Sequence, residues 1–464
     1  MPATMADQIF RGDLGNGLIR RWSTRADQDG IARCLATVFR DGPDAPLNAH
    51  AFDEVRIQMS PGYPFMGAGD YALVEDTSRP DRPVVACTCA WRHQWSYGGI
   101  RFGVGQPEMV ATLPEYRNRG LVRSLFDMVH ARSTARGELV QAITGIPYFY
   151  RQFGYEYVLD LGGQRFVDAA AIPPREGNEP EPYALRLATI DDIPHLLALY
   201  EQDRNASLIW HESDAAYWRA HIASWEDPDV QGKVVTEVGL VGRLQMIVAT
   251  DGAVCGMVWP AAKRGGSALR IFALRLYRHV SWQAVMPSLL RALRALGEQA
   301  PGLTPNTRPF RELGLQLGRD HPAYTVLGET LAPRREAPYA WYLRVADVHA
   351  FIRHIAPVLE QRLANSILPG HSGDLVVDFY GDGLKLHFDH GKLAEIAPWR
   401  APAYGDDAPA GCPRLIFLQL LFGYRSLAEL RATFPDVYAE PDAVLLLDIL
   451  FPKMPSTLYN MSFT

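Results

Sequence analysis

Apolar residues fall at helical spacing after residue 120: Leu121, Val122, Leu125, Phe126, Met128 and Val129 form one face, and Gly137 ends the helix. Just before it, Met109, Val110, Ala111 and Thr112 read as the end of a strand stopped at Pro114. Residues 138–143 (ELVQAI) then read as a buried strand. Upstream, residues 18–23 predict a strand, 31–39 a helix, and 71–75 and 84–95 two consecutive strands. The order of strand, helices, strands, helix, strand, helix and strands predicts a mixed α/β sheet over residues 18–168.

A polar, proline-rich stretch at 172–182 (IPPREGNEPEP) marks a linker. Beyond it the same opening returns, a strand at 183–189 and a helix at 190–200. Strands follow at 234–238, 244–249, 253–259 and 268–274, then a helix at 282–296. From Tyr339 the pattern changes: a helix at 349–365, strands at 373–379, 383–388 and 391–396, and helices at 414–421 and 426–433. The turns Tyr380-Gly-Asp-Gly383 and Asp389-His-Gly391 are hairpin signals. The boundaries implied are a first unit at 1–170, a linker at 171–182, a second unit at 183–338 and a third at 339–464.

With 464 residues the chain exceeds a single core, and its 48% hydrophobic and 21% charged residues are ordinary for a globular protein. A net charge of −6 gives no reason to expect a nucleic-acid partner. No apolar run reaches the ~20 residues of a membrane span, and the start MPATMADQIF lacks a signal-peptide pattern. A cytoplasmic protein with no membrane partner is expected. Cys87 and Cys89 put both thiols on one face of a strand, and no second pair or histidine cluster completes a metal site, so no metal is expected.

The chemistry concentrates at Arg117-Asn118-Arg119-Gly120, between strand and helix. The N–H groups of a first helical turn have no internal acceptor, and the helix dipole adds positive potential. Two arginines beside them suit a pyrophosphate. Gly120, without a Cβ, allows close backbone approach. The corresponding turn of the second unit, Tyr277-Arg278-His279-Val280-Ser281, has no glycine.

Arg117-x-x-Gly120-x-Val122 resembles the pyrophosphate loop of the GCN5-related N-acetyltransferases, Gln/Arg-x-x-Gly-x-Gly/Ala, with Val122 departing from the last small residue. Tyr150-x-x-Phe153-Gly154-Tyr155 resembles the ending common in that family. The third unit resembles the sterol-carrier-protein fold. Together with Leu421-Phe-Gly-Tyr-Arg-Ser426 and Phe451-Pro-Lys453, the chain resembles the enhanced intracellular survival (Eis-like) family. The fold class implied is α/β with mixed sheets: two tandem acetyltransferase-like folds, the second degenerate, followed by a sterol-carrier-protein-like α/β domain.

The resemblance implies acetyl-CoA as co-substrate and a small-molecule or peptide amine as partner, since family members acetylate aminoglycosides, lysine or polyamines. It also implies a homo-oligomer, often a hexamer. It places the pantetheine along Met109, Val110 and Thr112, and the pyrophosphate at Arg117, Asn118, Arg119, Gly120, Leu121 and Val122. Tyr150 matches the general acid. The C-terminal carboxylate, here that of Thr464, matches the base or its relay, although family members can end in an aromatic residue. Glu108, at the start of the pantetheine strand, and Asp41, in the loop after the first helix, are substrate-side candidates; each also reads as an ordinary strand-end or turn acid. Tyr150 likewise reads as a core aromatic, and His93 has no partner visible in sequence. Two other functions remain open: an apolar-ligand carrier built on the third unit, and a non-catalytic acetyltransferase-like regulator.

Overall fold

The computed structural model describes residues 11–175, 177, 180–224, 242–303, 307–402, 408–456 and 458. The expected strand at 234–238 and the expected catalytic Thr464 lie outside the described residues.

The first sheet begins with β1 (Leu18–Trp22), followed by α1 (Gln28–Val38) and α2 (His50–Gln58). β2 (Tyr71–Asp76), β3 (Val84–Tyr97) and β4 (Ile100–Thr112) then pair antiparallel in order. α3 (Leu121–Ala135) returns the chain to β5 (Val140–Ile143), parallel to β4. On one face, Ile31, Leu35 and Val55 of α1 and α2 cover Cys87, Cys89 and Trp91. On the other, Leu121, Leu125, Met128 and Val129 of α3 cover Val74, Ala86 and Ala90. This sandwiching between helices explains why all six residues of β2 are buried. Cys87 and Cys89 are free and buried.

After β5 the chain forms β6 (Glu156–Leu161) and β7 (Gln164–Asp168). The second unit then runs through β8 (Tyr183–Leu187), α4 (Ile193–Glu201), β9 (Ile209–His211) and α5 (Ala215–Ser224). It continues with β10 (Gln245–Ala249), β11 (Val254–Pro260), β12 (Ala268–Leu276), α6 (Trp282–Gln299), β13 (Glu312–Leu315) and α7 (Pro322–Leu331). Its sheet repeats the first: β8, β10, β11 and β12 are antiparallel neighbours, and β12 is parallel to β13. The two entry turns match in side-chain detail. Arg21 grips Asp27 at 2.6 and 2.9 Å beneath a Thr24–Asp27 capping box, and Arg186 grips Asp192 at 2.6 and 2.7 Å beneath a Thr189–Asp192 box.

The sheets do not respect the boundaries drawn at 170 and 338. β14 (Arg334–Glu336) and β15 (Tyr339–Val345) follow α7, β14 pairing with β7 in the second sheet. β15 leaves its own sheet and lies between β5 and β6 of the first, antiparallel to both. β7 makes the reverse move and lies between β13 and β14 of the second sheet. The chain thus exchanges one strand in each direction. Gly162 and Gly163 make the first crossing in left-handed backbone, with φ of 66° and 90°. A Cβ on Gly163 would sit 2.7 Å from Pro338 Cγ, in the second crossing. Periodicity identifies β7 and β15 as strands but carries no information on which sheet they join.

The third unit runs from α8 (Val348–Ala364) through the antiparallel strands β16 (Gly373–Asp378), β17 (Gly383–Asp389) and β18 (Lys392–Trp399). It ends with β19 (Ala410–Gly411), α9 (Arg414–Leu421), α10 (Leu427–Thr433), β20 (Tyr438–Ala439) and α11 (Pro441–Leu450). The expected turns carry left-handed Tyr380, His390 and Gly391. The core of this unit is continuous with that of the first: Phe351 meets Phe102 at 5.4 Å and Tyr97 at 6.0 Å, and one apolar cluster runs from the first sheet into the third. No helix among the described residues is long and apolar enough to cross a membrane.

Candidate functional site

The first sheet forks between β4 and β5. They are paired only at Val104–Val140 and Gly105–Gln141, while the other edge of β5 pairs with β15 along all of Val140–Ile143. At the closed end a Cβ on Gly105 would collide with Glu138 and Ser133, so only glycine fits. Along the open arm, Glu108 and Ala111 face Cys89 and Cys87, leaving Met109 and Val110 opposite Thr88 alone. This bulge is marked by Met109 at φ 56° and held by Thr88 Oγ1 donating to the Glu108 carbonyl at 2.8 Å. A bulge breaks the ladder and turns peptide groups out of the sheet, here toward the fork.

Beyond β4, residues 113–120 lead to α3. Asn118 (φ 60°) and Gly120 (φ 74°) are left-handed, and Gly120 is the N-cap with no side chain capping the helix. The first intrahelical bond runs from Ser124 N–H to the Gly120 carbonyl, so the preceding amides face outward. Arg117 and Arg119 are exposed, bonded to the carbonyls of Thr112 (3.4 Å) and Glu115 (2.9 Å), and neither meets an acid among the described residues. These unneutralised guanidiniums beside uncapped amides fit a pyrophosphate. Leu121 is buried under the sheet, while Val122 packs with Val110 against the aromatic cluster beyond the fork. Val122 thus has an apolar neighbour on the cleft wall, which accounts for the missing small residue.

Tyr150 stands on a short 3-10 turn, Phe149–Phe153, at the mouth of the fork. Its ring stacks on Phe126 at 5.9 Å and meets Tyr342 of β15 edge-on at 5.5 Å. The side chain is buried, yet no hydrogen bond to its hydroxyl is made among the described residues. Burial, and then the field of Glu108, push its phenol well above the usual tyrosine range. At physiological pH Tyr150 therefore carries its proton, and passing it to a thiolate runs uphill.

Glu108 is half-buried, and burial raises its carboxyl to about 7, against hydrogen bonds from Gln106 (2.8 Å) and the Met109 N–H. Glu54 on α2, absent from the sequence reading, is raised to about 7 by burial and by Glu108. Two raised carboxyls, Glu54 lifted in part by the field of Glu108, form a site for a cation or a base. Glu54 lies beside Asp53 on a helix of mixed polarity, so no local pattern in the sequence marks it. Asp41 is exposed in the turn after α1 and makes no contact with this group. His93 has a partner that sequence could not supply: His211 of β9, from the second unit, at 3.2 Å, itself bonded to Ser213 at 2.8 Å.

The second sheet opens later: β12 and β13 pair over all four residues of β13, and β12 then runs on beyond Ile271 without it. There His321 spans the gap, its Nε2 on the Leu274 carbonyl at 2.9 Å and its ring against Trp282 at 5.3 Å. Ser281 caps α6 by accepting the Ala284 N–H. A cavity of about 1120 Å³ opens on this side, lined by Arg270, Trp282, His321 and tail residues Met454, Ser456 and Leu458.

Residues 20–158 match the family model of the acetyltransferase (GNAT) domain. Three solved structures share the fold of nearly the entire chain. A GCN5-related N-acetyltransferase from Kribbella flavida aligns at 21% identity and TM-score 0.61, covering 95% of this chain and 97% of that one. One from Anabaena variabilis aligns at 14% identity and TM-score 0.63, covering 95% and 98%. Eis1 from Mycobacterium abscessus aligns at 14% identity and TM-score 0.57, covering 94% and 98%. No curated protein matches the sequence. The first sheet is therefore that of an acetyltransferase domain, and N-acetyl transfer is the general chemistry it supports.

Proposed function

We propose that this protein is an acetyl-CoA-dependent N-acetyltransferase acting on a primary amine of a small polycation, an aminoglycoside-like molecule or a lysine side chain. The observation that carries the reading is the first fork: a bulged β4 arm leading to an uncapped helix N-terminus with two unpaired arginines, and an unbonded tyrosine hydroxyl at its mouth. Met109, Val110 and Thr112 would hold the pantetheine through the backbone. Arg117, Asn118, Arg119, Gly120, Leu121 and Val122 would hold the pyrophosphate. The second unit is a repeat that does not take acetyl-CoA, and the third is a sterol-carrier-like scaffold.

Acetyl-CoA supplies an activated thioester. The residues supply proton handling. An amine is mostly protonated at neutral pH and attacks only after losing a proton. Glu108, with a pKa of about 7, can take it, and Glu54 beside it attracts the ammonium. As the N–C bond forms and the C–S bond breaks, Tyr150 donates to the departing thiolate and is later reprotonated from solvent. The Thr464 carboxylate is the rival base.

An acetyl-CoA turnover screen over spermidine, Nα-acetyl-lysine methyl ester and kanamycin tests the proposal. Thiol release with at least one amine is expected, slowed but still measurable in Tyr150→Phe. Calorimetric CoA binding without turnover on any amine would favour the regulatory reading, and absence of CoA binding would end the proposal. Deleting Phe463 and Thr464 separates the two bases: unchanged turnover leaves the role to Glu108.

A further inference from the structure

The segment that delivers Tyr150 is held in an unusual way. Between β5 and the Phe149–Phe153 turn the backbone is left-handed twice, at Gly145 (φ 109°) and at Tyr148 (φ 65°). Tyr148 is a bulky exposed residue in a conformation that persists only where neighbours hold it.

Those neighbours are three tyrosine hydroxyls. Tyr339 donates to the Gly145 carbonyl at 2.8 Å, and Tyr342 reaches the Ile146 carbonyl at 3.3 Å. Tyr157 accepts the Tyr148 N–H at 2.9 Å. The hydroxyls also bond one another: Tyr342 donates to Tyr157, and Tyr157 lies 3.3 Å from Tyr339. The proton count closes in one direction. Tyr339 spends its proton on Gly145, Tyr157 can spend its own on Tyr339, and Tyr342 divides its proton between Ile146 and Tyr157. Every hydroxyl is committed, and the backbone is pinned at Gly145, Ile146 and Tyr148. The rings of Tyr157 and Tyr342 stack at 4.0 Å, and Tyr342 is also the residue edge-on to Tyr150.

Only Tyr157 belongs to the first unit. Tyr339 and Tyr342 arrive on β15, the strand given up by the second. We infer that Tyr157, Tyr339 and Tyr342 are positioning residues that hold residues 145–148 in the shape that aims Tyr150 at the fork. The exchanged strand is thereby the second unit's contribution to acetyl transfer. This rests on the reading of Tyr150 as the proton donor.

The test uses the full-length chain carrying Tyr157→Phe, Tyr339→Phe or Tyr342→Phe, each alone and on a Tyr150→Phe background. Acetyl-CoA is the donor, with whichever amine of the screen turns over. Each ring is kept and only a hydroxyl is lost. Tyr339→Phe, at a partly exposed site, is the variant least able to disturb folding. The expected result is a kcat lower by about tenfold or more, with KM for acetyl-CoA within about twofold. On the Tyr150→Phe background the same substitutions change kcat by less than about twofold, because a misaimed acid has no cost once the acid is gone. Wild-type kcat in all three variants overturns the inference. So does a loss that multiplies undiminished on the Tyr150→Phe background, or a loss matched by weakened acetyl-CoA binding. If Tyr150→Phe itself turns over normally, the acid assignment fails. If Tyr150→Phe is impaired while the three hydroxyl variants are not, only the positioning role fails.

Discussion

The two forked sheets are built from one plan and treat the fork differently. Each opens with the same Arg–Thr–Asp lock and runs four antiparallel strands into one parallel strand. In the first, the strand-to-helix turn spans residues 113–120, ends on a left-handed glycine, and leaves the helix amides uncapped. In the second, the turn spans 277–281, a serine caps the helix, and a neutral histidine bridges the gap. Burial pushes His321 down to about 4, so it stays neutral. On the proposed reading, the second unit keeps the fold without an anion site, and the sheet and the cofactor site are separable. What makes a cofactor cleft is the set of backbone groups left unpaired.

The comparison breaks most severely if the units are parted. Residues 1–170 expressed alone lack β15, the strand between β5 and β6, and are expected to show no cooperative thermal transition by circular dichroism. A stable isolated fragment would show that the exchange is dispensable. Next is the turn itself. Gly120→Glu places a carboxylate among the amides and strains a φ of 74°, and CoA affinity by calorimetry should fall by about 100-fold or more. The parent chain should titrate with one CoA per chain.

A smaller effect belongs to the carboxyls. Glu108 must be ionised to act as a base, so kcat/KM should rise with pH through about 7, and Glu108→Gln should remove that acidic limb. Stability carries the opposite slope. Glu54, raised from 4.5 to about 7 on folding, keeps a proton that the unfolded chain has lost, so its contribution falls as pH rises across that window. Glu54→Gln should flatten the difference in denaturation midpoint between pH 5 and 7. The smallest effect is at the second turn. Ser281→Ala should cost about 1 kcal/mol of stability and leave CoA stoichiometry unchanged.

The sequence disclosed the site where chemistry leaves a local signature. Arginines, a glycine and an apolar helix face at fixed spacing located the turn around Gly120 and the helix behind it. Tyr150 followed from its place in a short motif. The residues that were missed are those brought in from a distance. Glu54 joins Glu108 through the packing of α2, His211 reaches His93 from the second unit, and Tyr339 and Tyr342 arrive on a strand that changes sheets. Period-two alternation is the same whichever edge a strand joins, so no local pattern could have assigned β7 and β15.

The exchange also sets a timetable. Tyr339 lies 194 residues after the Gly145 carbonyl that it holds. At the usual 5–20 residues per second of synthesis, that interval is about 10–40 s. During it, the strap that carries Tyr150 has no clamp, and β5 shows an unpaired edge to whatever is nearby. A nascent chain of this protein therefore passes through a period of exposed strand edge that a self-contained sheet would never have, and its yield should depend on chaperones that shield such edges until residue 345 has emerged.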